Sequence, residues 1–178
     1  MKDNSLKVQA YNSIKGKIID CSYPPGTMLK EEQLKEEFNI SRTPIRDALG
    51  RLEQEGLITI KSKKGILVSP IDFDEVNTIF EIRLLFEPYA LLNYGYMLKD
   101  NDLLSCYNRH AQGKGIADKN YCFSLDDEFH EMIMSTITNH YISQSYSIIS
   151  VQNKRLRILT GACSANRLEK TNQEHIKI

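Results

Sequence analysis

A chain of 178 residues with 41% hydrophobic content is long enough for one ordinary domain or two small ones, and too apolar for a disordered segment. No apolar run approaches the roughly 18 residues that a bilayer-spanning helix needs. The start, MKDNSLKVQA, lacks the apolar core of a secretory signal, so a cytoplasmic protein without a membrane partner is expected. The formal net charge is 0, which argues against nonspecific coating of nucleic acid. The charge is unevenly spread, however: residues 1–70 carry 12 Lys and Arg against 9 Asp and Glu, and residues 71–178 carry 11 against 14. Two modules with different partners are implied. Cys21, Cys106, Cys122 and Cys163 form no CxxC pair and are expected to be small buried hydrophobes.

In the first module, Val8, Tyr11, Ile14 and Ile18 recur at three- and four-residue spacing and predict an amphipathic helix over 6–19. Tyr23-Pro24-Pro25-Gly26 breaks it. A second helix is expected over 31–38, with Asn39 in the left-handed turn that ends it. Ser41 then reads as the N-cap of a third helix, with Pro44 in its first turn and Gly56 as its stop. Ile45, Ala48, Leu49 and Leu52 form the core stripe of that helix. Strands are expected at 57–60 and 66–69, joined by a basic link, Lys61 to Gly65. The domain boundary falls at Ser69-Pro70-Ile71-Asp72. Beyond it the pattern is helical to the end. Asp72 and Glu75 look like a capping box. A long helix to about Leu98, bent near Pro88, leads to helices at 101–112, 120–138, 140–160 and 165–178.

On the third helix, Arg42 and Arg46 lie one turn apart beside Thr43, on a face turned away from the core stripe. A helix fits the major groove of DNA if that face is polar and unobstructed. Arginine can then grip guanine edges or phosphate. Ser41 and the helix N-terminus offer further donors to phosphate, and Lys64 on the basic hairpin tip could enter the minor groove, with Gly65 allowing close backbone approach. Taken alone, the two arginines could equally be solvated helix charges. A long ungapped run changes the balance: Pro25-Gly26-Thr27-Met28-Leu29, Leu34, Ser41 to Leu49 (SRTPIRDAL), and Leu52 to Leu57 (LEQEGL), followed by Gly65 and Val68. This run resembles the GntR family of regulators. The resemblance implies a winged helix-turn-helix over residues 1–70, and DNA contacts from Arg42, Thr43, Arg46 and Gly65. Ser41 and Lys64 are added from their position.

The second module, 71–178, resembles the FCD effector-binding domain that accompanies many GntR proteins. The residues that carry this are Glu81 to Pro88 (EIRLLFEP), Leu125 to His130 (LDDEFH) with Asn139, and Glu174-His175-Ile176. The fold expected is therefore mainly α, a winged helix-turn-helix followed by an all-helical bundle that binds effector and dimerises. Asp126 and His130, at i and i+4, share a helix face at the margin of a stripe formed by Leu125, Phe129, Met132, Ile133 and Ile137. On spacing alone the commoner outcome is an Asp–His surface pair. The resemblance instead implies that Asp126, His130 and His175 ligate a divalent metal of the zinc or nickel class. The family's fourth ligand, another histidine, would lie some two dozen residues beyond His175, so the domain is expected to be incomplete at its C-terminus. Arg83, flanked by Ile82, Leu84 and Leu85, is expected to point inward with Phe80 and Glu87. It either pairs with Glu87 or meets an effector carboxylate. His110 and His140 match no motif and are expected at the surface or at caps.

The resulting expectation is a homodimeric regulator, a repressor in the simplest case, that binds double-stranded operator DNA and responds to a small organic acid. Two other readings stand beside it. One is a constitutive DNA-binding protein whose second module only dimerises. The other is a small metal-dependent hydrolase on Asp126, His130 and His175, for which the sequence offers no nucleophile or dedicated base at a recognisable spacing.

Overall fold

The computed structural model describes residues 2–62, 64–113, 118–160 and 165–177. These divide into two compact units, one of residues 1–76 with 151–158, the other of residues 77–150 with 159–178. Helices dominate, and a single three-stranded sheet lies in the first unit.

In the first unit, α1 (Lys2–Ile19) precedes a short strand β1 (Met28–Leu29), then α2 (Glu31–Phe38), α3 (Arg42–Gln54) and the hairpin β2 (Ile58–Lys61) and β3 (Gly65–Val68). Asn39 closes α2 at φ 52° and ψ 44°, the left-handed cap expected of it. Ser41 holds the N-cap position of α3, but its side chain makes no capping bond. The core joins Ala10, Tyr11, Ile14 and Ile18 of α1 to Ile45, Ala48, Leu49 and Leu52 of α3, with Leu57, Ile58, Ile66 and Val68 from the hairpin. Val8 is 44% exposed, and Ala10 takes the inward place expected of it. Tyr11 and Lys15 both bond to Glu55, at 2.6 and 2.7 Å, and pin α1 to the end of α3. Residues 151–158 group with this unit through Arg155, whose Nη2 donates to the Ser69 carbonyl at 2.6 Å.

The sheet order is β1-β3-β2, antiparallel throughout, with Ile58 opposite Val68 and Met28 opposite Leu67. Gly65 opens β3 at φ +115°, and a Cβ there would lie 2.6 Å from the Leu29 carbonyl oxygen. The glycine is thus required by the packing of β1 on β3. Gly65→Ala should cost roughly 1–2 kcal/mol from backbone strain alone, read as a lower denaturation midpoint at unchanged m-value.

The second unit contains α4 (Phe73–Tyr94) from residue 77 onward, a 3₁₀ turn (Gly95–Met97), α5 (Asp100–Gln112), α6 (Lys119–Met134), the first half of α7 (His140–Thr160), and α8 (Ala165–His175). Asp72 caps α4 by accepting from the Glu75 amide at 2.9 Å, and the helix runs unbroken through Pro88. Ala90, Cys106, Phe129, Ile133, Met134, Ile137 and Tyr146 form the core. Phe80 is exposed, against expectation, and Ile79 is buried in its stead. Cys106 is buried as expected, but Cys21 and Cys122 are only half-buried, and Cys163 lies outside the described residues. Cys21 adopts φ 59° in the turn that follows α1. His140, the first residue of α7, is exposed as expected. No described helix is long and apolar enough to cross a membrane.

Candidate functional site

Two clusters carry chemistry, one in each unit. The first is the outer face of α3. Burial of Ile45, Ala48, Leu49 and Leu52 turns Arg42, Thr43 and Arg46 to solvent, together with Ser41 ahead of them. Arg42 and Arg46 are 55% and 65% exposed at the side chain, yet neither is solitary. Glu31 of α2 takes Arg42 Nε and Arg46 Nε at 3.0 Å each, and Glu32 takes Arg42 Nη2. Lys35 and Arg42 hold the Glu32 carboxyl below its ordinary range. Exposed pairs of this kind are weak, because solvent screens them, so they orient the arginines without committing them. Lys64 is exposed at the turn before β3, and Lys63 lies outside the described residues.

The second cluster lies inside the second unit. Ligand atoms of Asp126, His130 and His175 all fall within 4.8 Å of one another. Asp126 and His130 come from adjacent turns of α6 and His175 from the end of α8. Nε2 of each imidazole lies 3.6 Å from Asp126 Oδ1. Arg83 reaches in from α4: its Nη2 donates to His130 Nε2 at 2.8 Å and its Nε to Glu87 Oε1 at 2.7 Å. A guanidinium can only donate, so His130 Nε2 is here a bare acceptor and Nδ1 carries the hydrogen. That Nδ1 lies 3.1 Å from Glu87 Oε2, close but out of line for a good hydrogen bond. Tyr146 OH adds a bond to Glu87 Oε1 at 2.7 Å.

The electrostatics follow from this packing. Burial alone would raise Glu87, but His130 and Arg83 outweigh it and draw its pKa down to about 2. Burial lowers the pKa of His130, while Asp126 and Glu87 raise it by more; on protonation the ring would have to give up the bond from Arg83. Burial, aided by the charge of Arg83, pulls His175 down to about 4 against the attraction of Asp126. His175 is therefore neutral near pH 7 and keeps a lone pair. A carboxylate and two imidazoles, half-buried and converging, form a donor set suited to a borderline divalent cation.

The gntR-family model of bacterial regulatory proteins matches residues 6–68, and the FCD-domain model matches residues 78–178. The chain is a gntR-family regulator with an FCD domain. It is 32% identical over 131 residues to the HTH-type transcriptional repressor RspR of Escherichia coli, covering 70% of this chain and 56% of the repressor. It is 26% identical over 182 residues to the HTH-type regulator YdhC of Bacillus subtilis, covering 99% and 80%. The gluconate operon repressor of Bacillus licheniformis aligns at 29% identity over 141 residues, 78% of this chain and 58% of that protein. The chain thus spans little more than half the length of several curated relatives. Among solved structures, a GntR regulator from Rhodococcus sp. RHA1 superimposes with a TM-score of 0.79 at 14% identity, over 97% of this chain and 84% of that one. Escherichia coli McbR/YncC follows at 0.72 and 18%, over 96% and 82%. At these identities the likeness shows the fold.

Sequence reasoning misplaced one histidine of the chain. His110, expected at the surface or a cap, is 2% exposed, its ring packed edge-on against Phe129 and His175. The available signal was its place one turn after Cys106, which is buried on the same face of α5. Tyr146 was also missed, because its role depends on a partner 59 residues away. His110 and His175 also line a cavity of about 420 Å³ walled by Leu103, Leu104 and Tyr107 of α5.

Proposed function

We propose that this chain is a ligand-responsive transcription regulator, in the simplest case a repressor. In this reading residues 1–70 bind operator DNA, and residues 71–178 bind a small carboxylate effector and pair with a second copy. The observation that carries it is the face of α3: Arg42, Thr43 and Arg46 are solvent-exposed while the opposite stripe is fully buried. A helix so arranged can enter the major groove with Arg42 and Arg46 on base edges or phosphates, Thr43 and Ser41 on the backbone, and the wing at Lys64 and Gly65 beside it. The families and relatives matched are regulators, not enzymes, and the Asp126–His130–His175 cluster has no nucleophile–base pair beside it among the described contacts.

Asp126, His130 and His175 would hold a divalent cation of the zinc or nickel class, which when bound supplies open positions for a carboxylate. The chain's own residues shape the response. Arg83 already donates to the His130 Nε2 lone pair, so Arg83 and a cation exclude each other there. An Arg83 released from His130 stays tethered near the site through Glu87 and can face the anionic end of an effector. Homodimerisation is supported by α4, where Leu85 and Leu92, two turns apart on one face, are 61% and 85% exposed.

The test is a fluorescence-anisotropy titration on a palindromic site selected from random DNA, with and without zinc and a panel of organic acids. Effector-dependent loss of affinity is expected, and sedimentation at micromolar concentration should return a dimer. Tight operator binding that no acid relieves would favour the constitutive reading. Lys64→Ala should weaken selected and random DNA alike and reduce the salt slope by about 1. A loss confined to the selected site would show that Lys64 reads bases.

A further inference from the structure

His110 is buried beside the metal-binding candidates, yet it belongs to none of the motifs that mark them. Its Nδ1 lies 2.9 Å from the backbone carbonyl of Cys106, one turn earlier on α5. A carbonyl only accepts, so Nδ1 carries the ring hydrogen and Nε2 keeps its lone pair. That Nε2 is buried and has no hydrogen-bond partner among the described residues.

His175 presents the complementary vacancy. Its Nε2 faces Asp126 Oδ1 at 3.6 Å, on the side where the three ligand atoms converge. An imidazole that gives its Nε2 lone pair to a cation must carry its hydrogen on Nδ1. His175 Nδ1 is also buried and without a partner among the described residues. The two rings lie 5.4 Å apart, centre to centre, at 78°. An unmet donor and an unmet acceptor therefore sit on adjacent rings sealed from solvent, where each is costly if left alone.

The surroundings hold the two rings in register. Asn172, one turn before His175 on α8, donates to the His110 backbone carbonyl at 2.8 Å. Phe129 stacks on His175 at 4.2 Å and 21°, which restrains the His175 ring from tilting about its Cβ–Cγ bond. His130, by contrast, has Glu87 beside its Nδ1. Ligating histidines characteristically donate their second ring hydrogen to a carboxylate, a carbonyl or water, which fixes tautomer and orientation.

We propose that His110 is the positioning residue for His175: a small turn of the rings lets its Nε2 accept the His175 Nδ1 hydrogen when a cation binds, which holds the His175 Nε2 lone pair toward Asp126 and His130. With that bond made, a chain would run from the Cys106 carbonyl through His110 and His175 to the ligand cluster. It rests on the reading of that cluster as a divalent-cation centre.

Long-range proton–nitrogen NMR on the ring nitrogens tests it in the unmodified chain. Both His110 and His175 should carry their hydrogen on Nδ1 without metal, and added zinc should move the His175 Nε2 resonance. H110Q, whose carboxamide oxygen can still accept, should keep most of the zinc affinity; H110F should lower it about 10–100-fold with the helical circular dichroism retained. A His175 hydrogen on Nε2, or zinc affinity in H110F equal to that of the unmodified chain, would overturn the proposal. Absence of any zinc binding would overturn the cation centre instead, and the ring tautomers would still decide whether His110 orients His175.

Discussion

Arg42→Ala lowers affinity for the selected operator by roughly 1–3 kcal/mol, about 5- to 150-fold, as expected when a base-edge arginine is lost. The bonds that Arg42 makes to Glu31 and Glu32 do not cancel this. They are solvent-screened surface ion pairs, so a bidentate contact to guanine would outcompete them. The substitution should leave the fold intact, because Arg42 lies outside the buried stripe of α3 and its side chain is 55% exposed. Anisotropy titrations on selected and random DNA should show the selected site losing more. A specific-to-random ratio that does not change would reduce Arg42 to a phosphate contact.

His130→Ala should lower zinc affinity on the order of 100-fold or more, because it removes a donor rather than a supporting group. Arg83→Met should act in the opposite direction, since it frees the Nε2 lone pair that Arg83 now occupies at 2.8 Å. Competition against a chromophoric chelator measures both. Unchanged zinc affinity in His130→Ala would remove His130 from the donor set. A loss of affinity in Arg83→Met would show that Arg83 supports the cation rather than excluding it.

The legible parts of the chain were those whose geometry is local. Ile45, Ala48, Leu49 and Leu52 face the core because helical spacing puts them there, and Asn39 ends α2 because its short polar side chain tolerates positive φ. Asp126 and His130 share a face for the same reason, although only the resemblance linked them to His175, 45 residues further on. What escaped the sequence depends on distant partners. The strand at Met28–Leu29 is two residues long and shows no alternation; it exists because β3 lies beside it. Gly65 looked like a site of close approach to DNA, and the structure adds an internal reason in the Leu29 carbonyl. Val8 and Phe80 fit their stripes on paper but fall at the edges of their packed faces. His110 matches no motif, although it lies one turn after the buried Cys106 on α5.

The glutamates of α2 bear on how such a protein would find its site. A genome presents millions of random sequences for each true one, and every positively charged patch is drawn to all of them. With Glu31 and Glu32 alongside, the arginines of α3 meet random phosphate already partly neutralised. A brief encounter then gains little, and the chain departs quickly. Only a sequence offering base edges in the right register repays the exchange of carboxylate for guanine. In the proposed mode α2 thus shortens the time lost on wrong DNA, at the expense of some strength on the right one.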